Sequence, residues 1–241
     1  MIETYHRPAT LDEAISLLGA EGATVLGGGT SLVPSRASAD TATALIDLQG
    51  LGLNEIELDA DRIVIEAMVT LRGLVDSDLV PAMLRDLARR EAPNTIRNAA
   101  TIGGAVATGD AESELLAGLL VFQAEVAVAD SDGEAWHSLG DYLRESAIGI
   151  ITRIAISAGG TTHAARTGRT PADRPIVMAV ARRTDDGDIL LALTGVSAVP
   201  IAIDPSALDV LDPSGDFRGT AEYRIHLART LAGRAVAGLD A

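Results

Sequence analysis

Apolar positions along this chain switch repeatedly between helical and strand-like spacing. Leu11, Ala14, Ile15, Leu17 and Leu18 recur at helical intervals. Thr10, with Glu13 three residues on, forms a capping box at their start, and Gly19 or Gly22 is expected to end the helix. Residues 23–26 and 44–48 read as short buried strands. Residues 54–58 and 62–67 read as a hairpin around Asp59-Ala60-Asp61, with Ile63 and Ile65 on one face. Helices are predicted over 70–76 and 80–91, with Pro81 tolerated in the first turn and Ala92-Pro93-Asn94 breaking the pattern. Residues 95–108 are mostly small. Residues 110–122 read as a helix, 125–129 with 134–137 as a second hairpin, 139–144 as a short helix and 150–156 as a strand. Periodicity then lapses over 158–175, which reads as a linker or long loop. Two strands follow over 176–183 and 189–198, joined at Asp185-Asp186-Gly187-Asp188, then helices over 206–211 and 220–237. The pattern predicts a mixed α+β chain in two parts, 1–160 and 161–241, without internal repeats.

Composition narrows the chemistry. Of 241 residues, 47% are hydrophobic and 22% charged, enough apolar material for a sizeable core. Aromatic residues make up 2%, so that core rests on Ala, Val, Leu and Ile. The formal charge of −15 argues against nucleic acid and anionic membrane surfaces. All basic residues are arginine, which removes Schiff-base lysine chemistry and the lysine of a phosphate loop. Such a composition fits a GC-rich genome or a high-salt cytoplasm equally. Without cysteine the chain holds no disulfide, thiolate nucleophile or cysteine-ligated iron–sulfur cluster. The start, Met1 to Pro8, lacks a signal-peptide pattern and no apolar run reaches membrane-spanning length, so a soluble cytoplasmic protein is expected.

Two glycine clusters stand out, Gly27-Gly28-Gly29-Thr30-Ser31 and Thr101-Ile102-Gly103-Gly104. Glycine amides in a turn can converge on an anion, aided here by an arginine such as Arg36 or Arg97; taken alone, each cluster reads first as a plain turn. Neither fits the dinucleotide fingerprint, since Leu32 stands where a third glycine belongs. Asp110, Glu112 and Glu114 read either as partners of ribose hydroxyls or as complements to a helix dipole. His6, His137, His163 and His226 show no metal-ligand spacing, and Ser31 sits in no nucleophile elbow. Arg218, Tyr223 and Arg224 read as packing and surface residues.

Joined in order, these segments resemble a known family. Residues 23–34, with Gly27-Gly28-Gly29-Thr30-Ser31-Leu32-Val33-Pro34, resemble the A-G-G-x-S-L-x-P segment of the FAD-binding medium subunits of molybdenum hydroxylases, the carbon monoxide dehydrogenase and xanthine dehydrogenase relatives. Residues 96–104 are similar to that family's I-R-N-x-A-T-I-G-G segment. Arg169-Thr170-Pro171-Ala172-Asp173, Leu193-Thr194-Gly195-Val196 and residues 218–224 resemble its C-terminal signatures.

The resemblance implies a two-lobed FAD-binding domain of the vanillyl-alcohol-oxidase (PCMH) type followed by a small α+β C-terminal domain. It implies that Gly27, Gly28, Gly29, Thr30, Ser31, Leu32, Thr101, Ile102, Gly103 and Gly104 surround the FAD diphosphate and reach toward the flavin. Asp110 belongs to the same implied site, Glu114 is placed near the ribose, and Ile154 near the adenine. It implies no catalytic residue and no metal on this chain. Molybdopterin and 2Fe-2S clusters are implied only on a large and a small partner subunit, with electrons leaving FAD to an external acceptor. The chain departs from the family in Ala105 for a frequent Asn, Ala111 for a proline, Glu114 for Asp, and Arg166 beside the place of a lysine; residues 143–150 are also shorter. These departures motivate an alternative, a structural subunit that has lost FAD; a stand-alone flavoprotein oxidoreductase is a further one. Replacing Gly28 or Gly103 with valine is expected to abolish FAD retention with the fold largely intact.

Overall fold

The computed structural model describes residues 2–32, 43–145, 147–168, 170 and 173–241. Val33, Pro34, Arg36, Arg169, Pro171 and Ala172, named above, lie outside the described residues.

The chain begins with a small parallel sheet. Strands β1 (Ile2–His6), β2 (Ala23–Leu26) and β3 (Thr43–Asp47) order as β1-β3-β2. Helix α1 (Leu11–Leu18) packs on them through Ala14, against Ile46 and Leu48. The N-cap half of its capping box forms as expected, Thr10 Oγ1 accepting from the Glu13 amide at 3.3 Å, whereas Glu13 Oε2 accepts from the amide of Ala9, one residue before the cap, at 3.0 Å. Strand β1 had no signal in the sequence, because most of it is exposed and it joins β3 through backbone pairing and one side-chain bond, from the Tyr5 hydroxyl to Asp47.

A five-stranded antiparallel sheet follows, ordered β4-β5-β8-β6-β7. Its strands are β4 (Ile56–Asp59), β5 (Arg62–Glu66), β6 (Glu125–Asp130), β7 (Gly133–Ser138) and β8 (Ile150–Ser157). Both predicted hairpins are present, β4–β5 and β6–β7. Ile63, Ile65, Val126, Ile154 and Ile156 build the main core against helices α2 (Leu71–Asp76), α3 (Ala82–Glu91), α5 (Ile102–Thr108) and α6 (Glu114–Val121). Between α3 and α5 lies one short helix, α4 (Asn94–Arg97), and α7 (Leu139–Glu145) precedes β8.

Two boundaries differ from the sequence reading. The second glycine cluster is the first turn of α5 rather than a loop, with Thr101 as its N-cap. Helix α6 begins at Glu114, not near 110, because Ser113 caps it by accepting from the Leu116 amide at 3.1 Å. Asp110 and Glu112 therefore precede the helix instead of lying on it.

The last part is a four-stranded sheet, β12-β11-β10-β9. Its strands are β9 (Thr161–Arg166), β10 (Met178–Arg183), β11 (Ile189–Thr194) and β12 (Ile201–Ile203), and the long α8 (Ala221–Ala237) covers it. Strand β9 occupies part of the stretch expected to be a linker; its half-buried Thr-Thr-His-Ala-Ala-Arg sequence offers no apolar alternation. The helix expected over 206–211 shrinks to a single 3-10 turn, Leu208–Val210. Met178 and Val180 on β10 join the main core, while Ala179 and Ala181 face α8. Burial on both faces explains the uninterrupted apolar run of β10. Helix α6 is buried along its whole length, since it lies between the main core and β10–β11.

Candidate functional site

A cleft of about 630 Å³ opens between the first glycine cluster and the α4–α5 region. One wall is Gly27, Gly28, Gly29, Thr30, Ser31 and Leu32; the other is Ala100, Thr101, Gly104, Ala105 and Thr108. Asp110, Glu91 and Arg174 stand among its lining residues as well. The two clusters that the sequence singled out thus face one space.

The walls meet in backbone contact. A Cβ added to Gly28 would lie 1.7 Å from the carbonyl oxygen of Ala99, so only glycine lets the loop sit against residues 99–100. Gly103 is used in the same way on the opposite side: a Cβ there would lie 2.8 Å from both Cβ and O of Ala67. Gly103 and Ile102 are buried and do not line the cleft. They anchor α5 to the strand exit at 67–69, where their amides donate to Ala67 O and Val69 O at 2.9 Å each.

Backbone donors divide unequally. In the second cluster the Gly104 amide donates to Thr101 Oγ1 at 3.1 Å and the Ala105 amide to Thr101 O at 2.9 Å. Those donors, like those of Ile102 and Gly103, are spent within the protein. The amides of Gly28, Gly29, Thr30 and Ser31 have no acceptor among the described residues. The first wall therefore presents open donors and the second presents shape.

The three acids after α5 meet three arginines from beyond residue 160. Asp110 pairs with Arg174, Glu112 with Arg218 at 2.7 Å, and Glu114 with Arg166 at 2.8 Å. Burial works against the charge on Asp110, but the Arg174 bond and the Glu112 amide outweigh it and hold the carboxyl below its ordinary range. Glu114 is only 4% exposed, and burial pushes its carboxyl up despite Arg166. Its Oε2 has no hydrogen-bond partner among the described residues. Glu114 does not line the cleft, and neither does Ile154, whose side chain lies in the main core between β5 and β6. Arg97 is also elsewhere: its guanidinium donates to Arg89 O and Ala92 O, closing the end of α3.

Glu91 and Arg174 escaped the sequence reading. Glu91 ends α3, and its Oε2 accepts from the Leu115 amide at 3.1 Å, which caps α6 from a neighbouring helix. Burial raises its carboxyl above the ordinary range, against that amide bond and one from Ser113. Arg174 follows the segment that carried the family signature, but nothing in its spacing placed it on the cleft. No cluster of His, Cys, Asp or Glu able to hold a metal ion occurs among the described residues.

The family described as the FAD binding domain in molybdopterin dehydrogenase matches residues 1–156. The chain belongs to that family. The uncharacterized protein YgfM of Escherichia coli strain K12 is 30% identical over 247 residues, covering 96% of this chain and 94% of that one. The carbon monoxide dehydrogenase medium chain of Afipia carboxidovorans is 29% identical over 272 residues, covering 96% and 94%. A crystal structure of Cu,Mo-CO dehydrogenase in its cyanide-inactivated form matches with a TM-score of 0.87 and 27% identity, over 98% of this chain and 97% of that one. The chain is thus an FAD-binding medium subunit of the molybdenum hydroxylase family, α+β in fold.

The residues present fit that cofactor. A loop with open amides suits a diphosphate, the contact of Gly28 with residues 99–100 sets the spacing of the two walls, and Gly103 anchors α5 on Ala67. Ala105, where the family often has Asn, lines the cleft without filling it. Glu114 and Arg166, two departures from the family pattern, pair with one another.

Proposed function

We propose that this chain is the FAD-binding electron-transfer subunit of a molybdopterin-dependent hydroxylase or dehydrogenase. It receives electrons from 2Fe-2S clusters on a small partner subunit and passes them to an external acceptor. Substrate is oxidised on a large, molybdopterin-bearing subunit, and the assembly is a cytoplasmic heterotrimer. The division of the chain at 1–160 and 161–241 belongs to the same proposal, with FAD held by the first part.

One observation carries the reading: a cleft whose glycine-rich wall offers unsatisfied amides, in a chain of this family. Bound flavin supplies the redox chemistry, accepting electrons one or two at a time. The protein binds and orients it. The amides of Gly28 to Ser31 hold the diphosphate with neutral dipoles, which suits a chain of −15 charge. Helix α5 and Ala105 form the facing wall. The absence of cysteine fits clusters carried by a partner.

The test is purification from a native host, followed by flavin spectroscopy, metal analysis and identification of co-purifying chains. Stoichiometric FAD, with cysteine-rich and molybdopterin-bearing partners, is expected. A colourless chain that cannot be reconstituted with FAD would refute the reading and leave a structural subunit. Flavin on a chain that purifies alone would point to a free-standing oxidoreductase.

A further inference from the structure

Arg174 stands at one end of the cleft with half of its guanidinium committed. Nη1 donates to Oδ2 of Asp110, while Nε and Nη2 carry no bond among the described residues. The side chain is 46% exposed. Among the described residues it is the sole cation lining the cleft. The free edge of such a guanidinium is a pair of parallel N–H donors with no acceptor capacity. Its complement is a pair of adjacent, coplanar acceptors.

Position along the cleft narrows what those donors meet. Thr101 and Gly104 line the cleft at the start of α5, next to Gly27 and Gly28, whereas Thr108 and Asp110 line it at the far end of the helix. Seven residues of helix separate the two ends by about 10 Å. The diphosphate belongs at the glycine end, where the open amides are. Asp110 offsets the charge of Arg174 and Glu91 adds a carboxyl beside them, so the far end offers no net positive charge to a second anion. A neutral part of FAD therefore reaches Arg174. Adenine sets its N1 and N7 acceptors beside an amino donor and its N3 apart from both. The isoalloxazine sets N1 directly beside the C2 carbonyl, two acceptors in one plane.

We propose that the free Nε–Nη2 edge of Arg174 faces the N1 and C2-carbonyl edge of the flavin ring and that its charge sets the ring's redox potential. This inference rests on the FAD reading above. Negative charge accumulates on that edge when the ring is reduced, so a fixed cation beside it favours the reduced form. Asp110 orients the guanidinium through Nη1 and tempers its charge.

The experiment uses the full chain as wild type, Arg174→Gln and Arg174→Lys, each reconstituted with FAD. Binding of oxidised FAD is followed by flavin fluorescence, and the midpoint potential by anaerobic dye-coupled titration. Arg174→Gln is expected to hold oxidised FAD within about threefold of wild type, because a ring contact to the neutral form is a modest share of the affinity. Its preference for reduced over oxidised FAD falls about tenfold, equivalent to a potential lower by about 30 mV for a two-electron couple. Arg174→Lys, which keeps the charge, retains most of the wild-type potential. An unchanged potential in Arg174→Gln overturns the proposal. So does complete loss of oxidised FAD, which would make Arg174 an anchor for the phosphates. A wild-type chain that takes up no FAD overturns instead the reading beneath it.

Discussion

Gly28 offers a sharp test of how the cleft is built. The sequence suggested that a bulky residue there would expel FAD and leave the fold intact. The structure says that a single methyl group is enough and that its first victim is the wall. In Gly28→Ala the new Cβ would start 1.7 Å from Ala99 O, and Cβ atoms do not approach heavy atoms within 3.0 Å. The loop must therefore retreat by at least 1.3 Å, the difference between those two distances. Overpacking of this kind costs about 1–3 kcal/mol, more than the roughly 0.4–1 kcal/mol gained by restricting the unfolded chain. The net loss is up to about 2.6 kcal/mol, which for a chain of this size lowers Tm by up to about 10 °C. If these amides hold the diphosphate as proposed, moving them by more than 1 Å removes at least one charge-assisted hydrogen bond worth about 1.5–3 kcal/mol, and FAD affinity is expected to fall roughly 10–100-fold. Gly104→Ala is the internal comparison. Among the described residues its Cβ would meet only Thr101 Oγ1, at 3.0 Å, and would otherwise project into the cleft from a helical position that favours alanine. That variant is expected to bind FAD less tightly with its Tm unchanged or raised. Calorimetric FAD titration and thermal melting of both variants decide the matter. Wild-type affinity and Tm in Gly28→Ala would show that the loop does not rest on residues 99–100.

Two further outcomes are expected. Arg182 is 2% exposed and donates to Val121 O and Gly159 O at 3.1 Å and to Ala158 O at 2.8 Å, while its guanidinium lies over the Phe122 ring. Arg182→Met should strand those carbonyls and lower stability by about 3–5 kcal/mol in urea titration, and Arg182→Lys should restore little of it; a loss below about 1 kcal/mol would count against the role given to the fork. Glu91 and Glu114 both titrate above the ordinary carboxylate range because they are buried. The native state thus keeps protons that the unfolded chain has already released, so stability is full below the unfolded value of about 4.3 and declines as pH rises through the native values. Glu91→Gln should flatten that decline in a Tm-against-pH profile, and an unaltered slope would show that Glu91 is not its source.

What the sequence disclosed followed from how local each signal is. The N-cap at Thr10, both hairpins and the buried run of β10 were legible because each needs only neighbouring residues. Strands β1 and β9 were not, since their place in a sheet depends on backbone pairing with β3 and β10. Of the site, both glycine clusters were found, but their division of labour was hidden. Only the fold shows that Ile102 and Gly103 are turned to the core and that the Gly104 amide is spent on Thr101. Glu91 and Arg174 were invisible for the same reason: they reach the cleft from segments more than 80 residues apart in the chain.

The acids at 110, 112 and 114 were the hardest to read, and they resolve a tension in the composition. A chain of −15 charge repels a dianionic cofactor, and three of its carboxylates lying near the cleft would concentrate the repulsion there. Each of them instead meets an arginine: Arg174, Arg218 and Arg166. All three arginines come from the last third of the sequence and all three acids from the turn into α6. Local charge at that end of the cleft is thereby brought toward neutrality without a lysine anywhere in the chain. The same pairs fasten residues 166–218 to the turn before α6 and its first residue, together with the α6 contacts to β10 and β11. The pairs are not equivalent. Glu114–Arg166 is the most buried and gives position more than stability, since desolvation offsets most of the attraction. Asp110–Arg174 is the most open to the cleft and leaves two donors free. The C-terminal part therefore takes part in the cleft: it neutralises one end and contributes the one cation that lines it among the described residues.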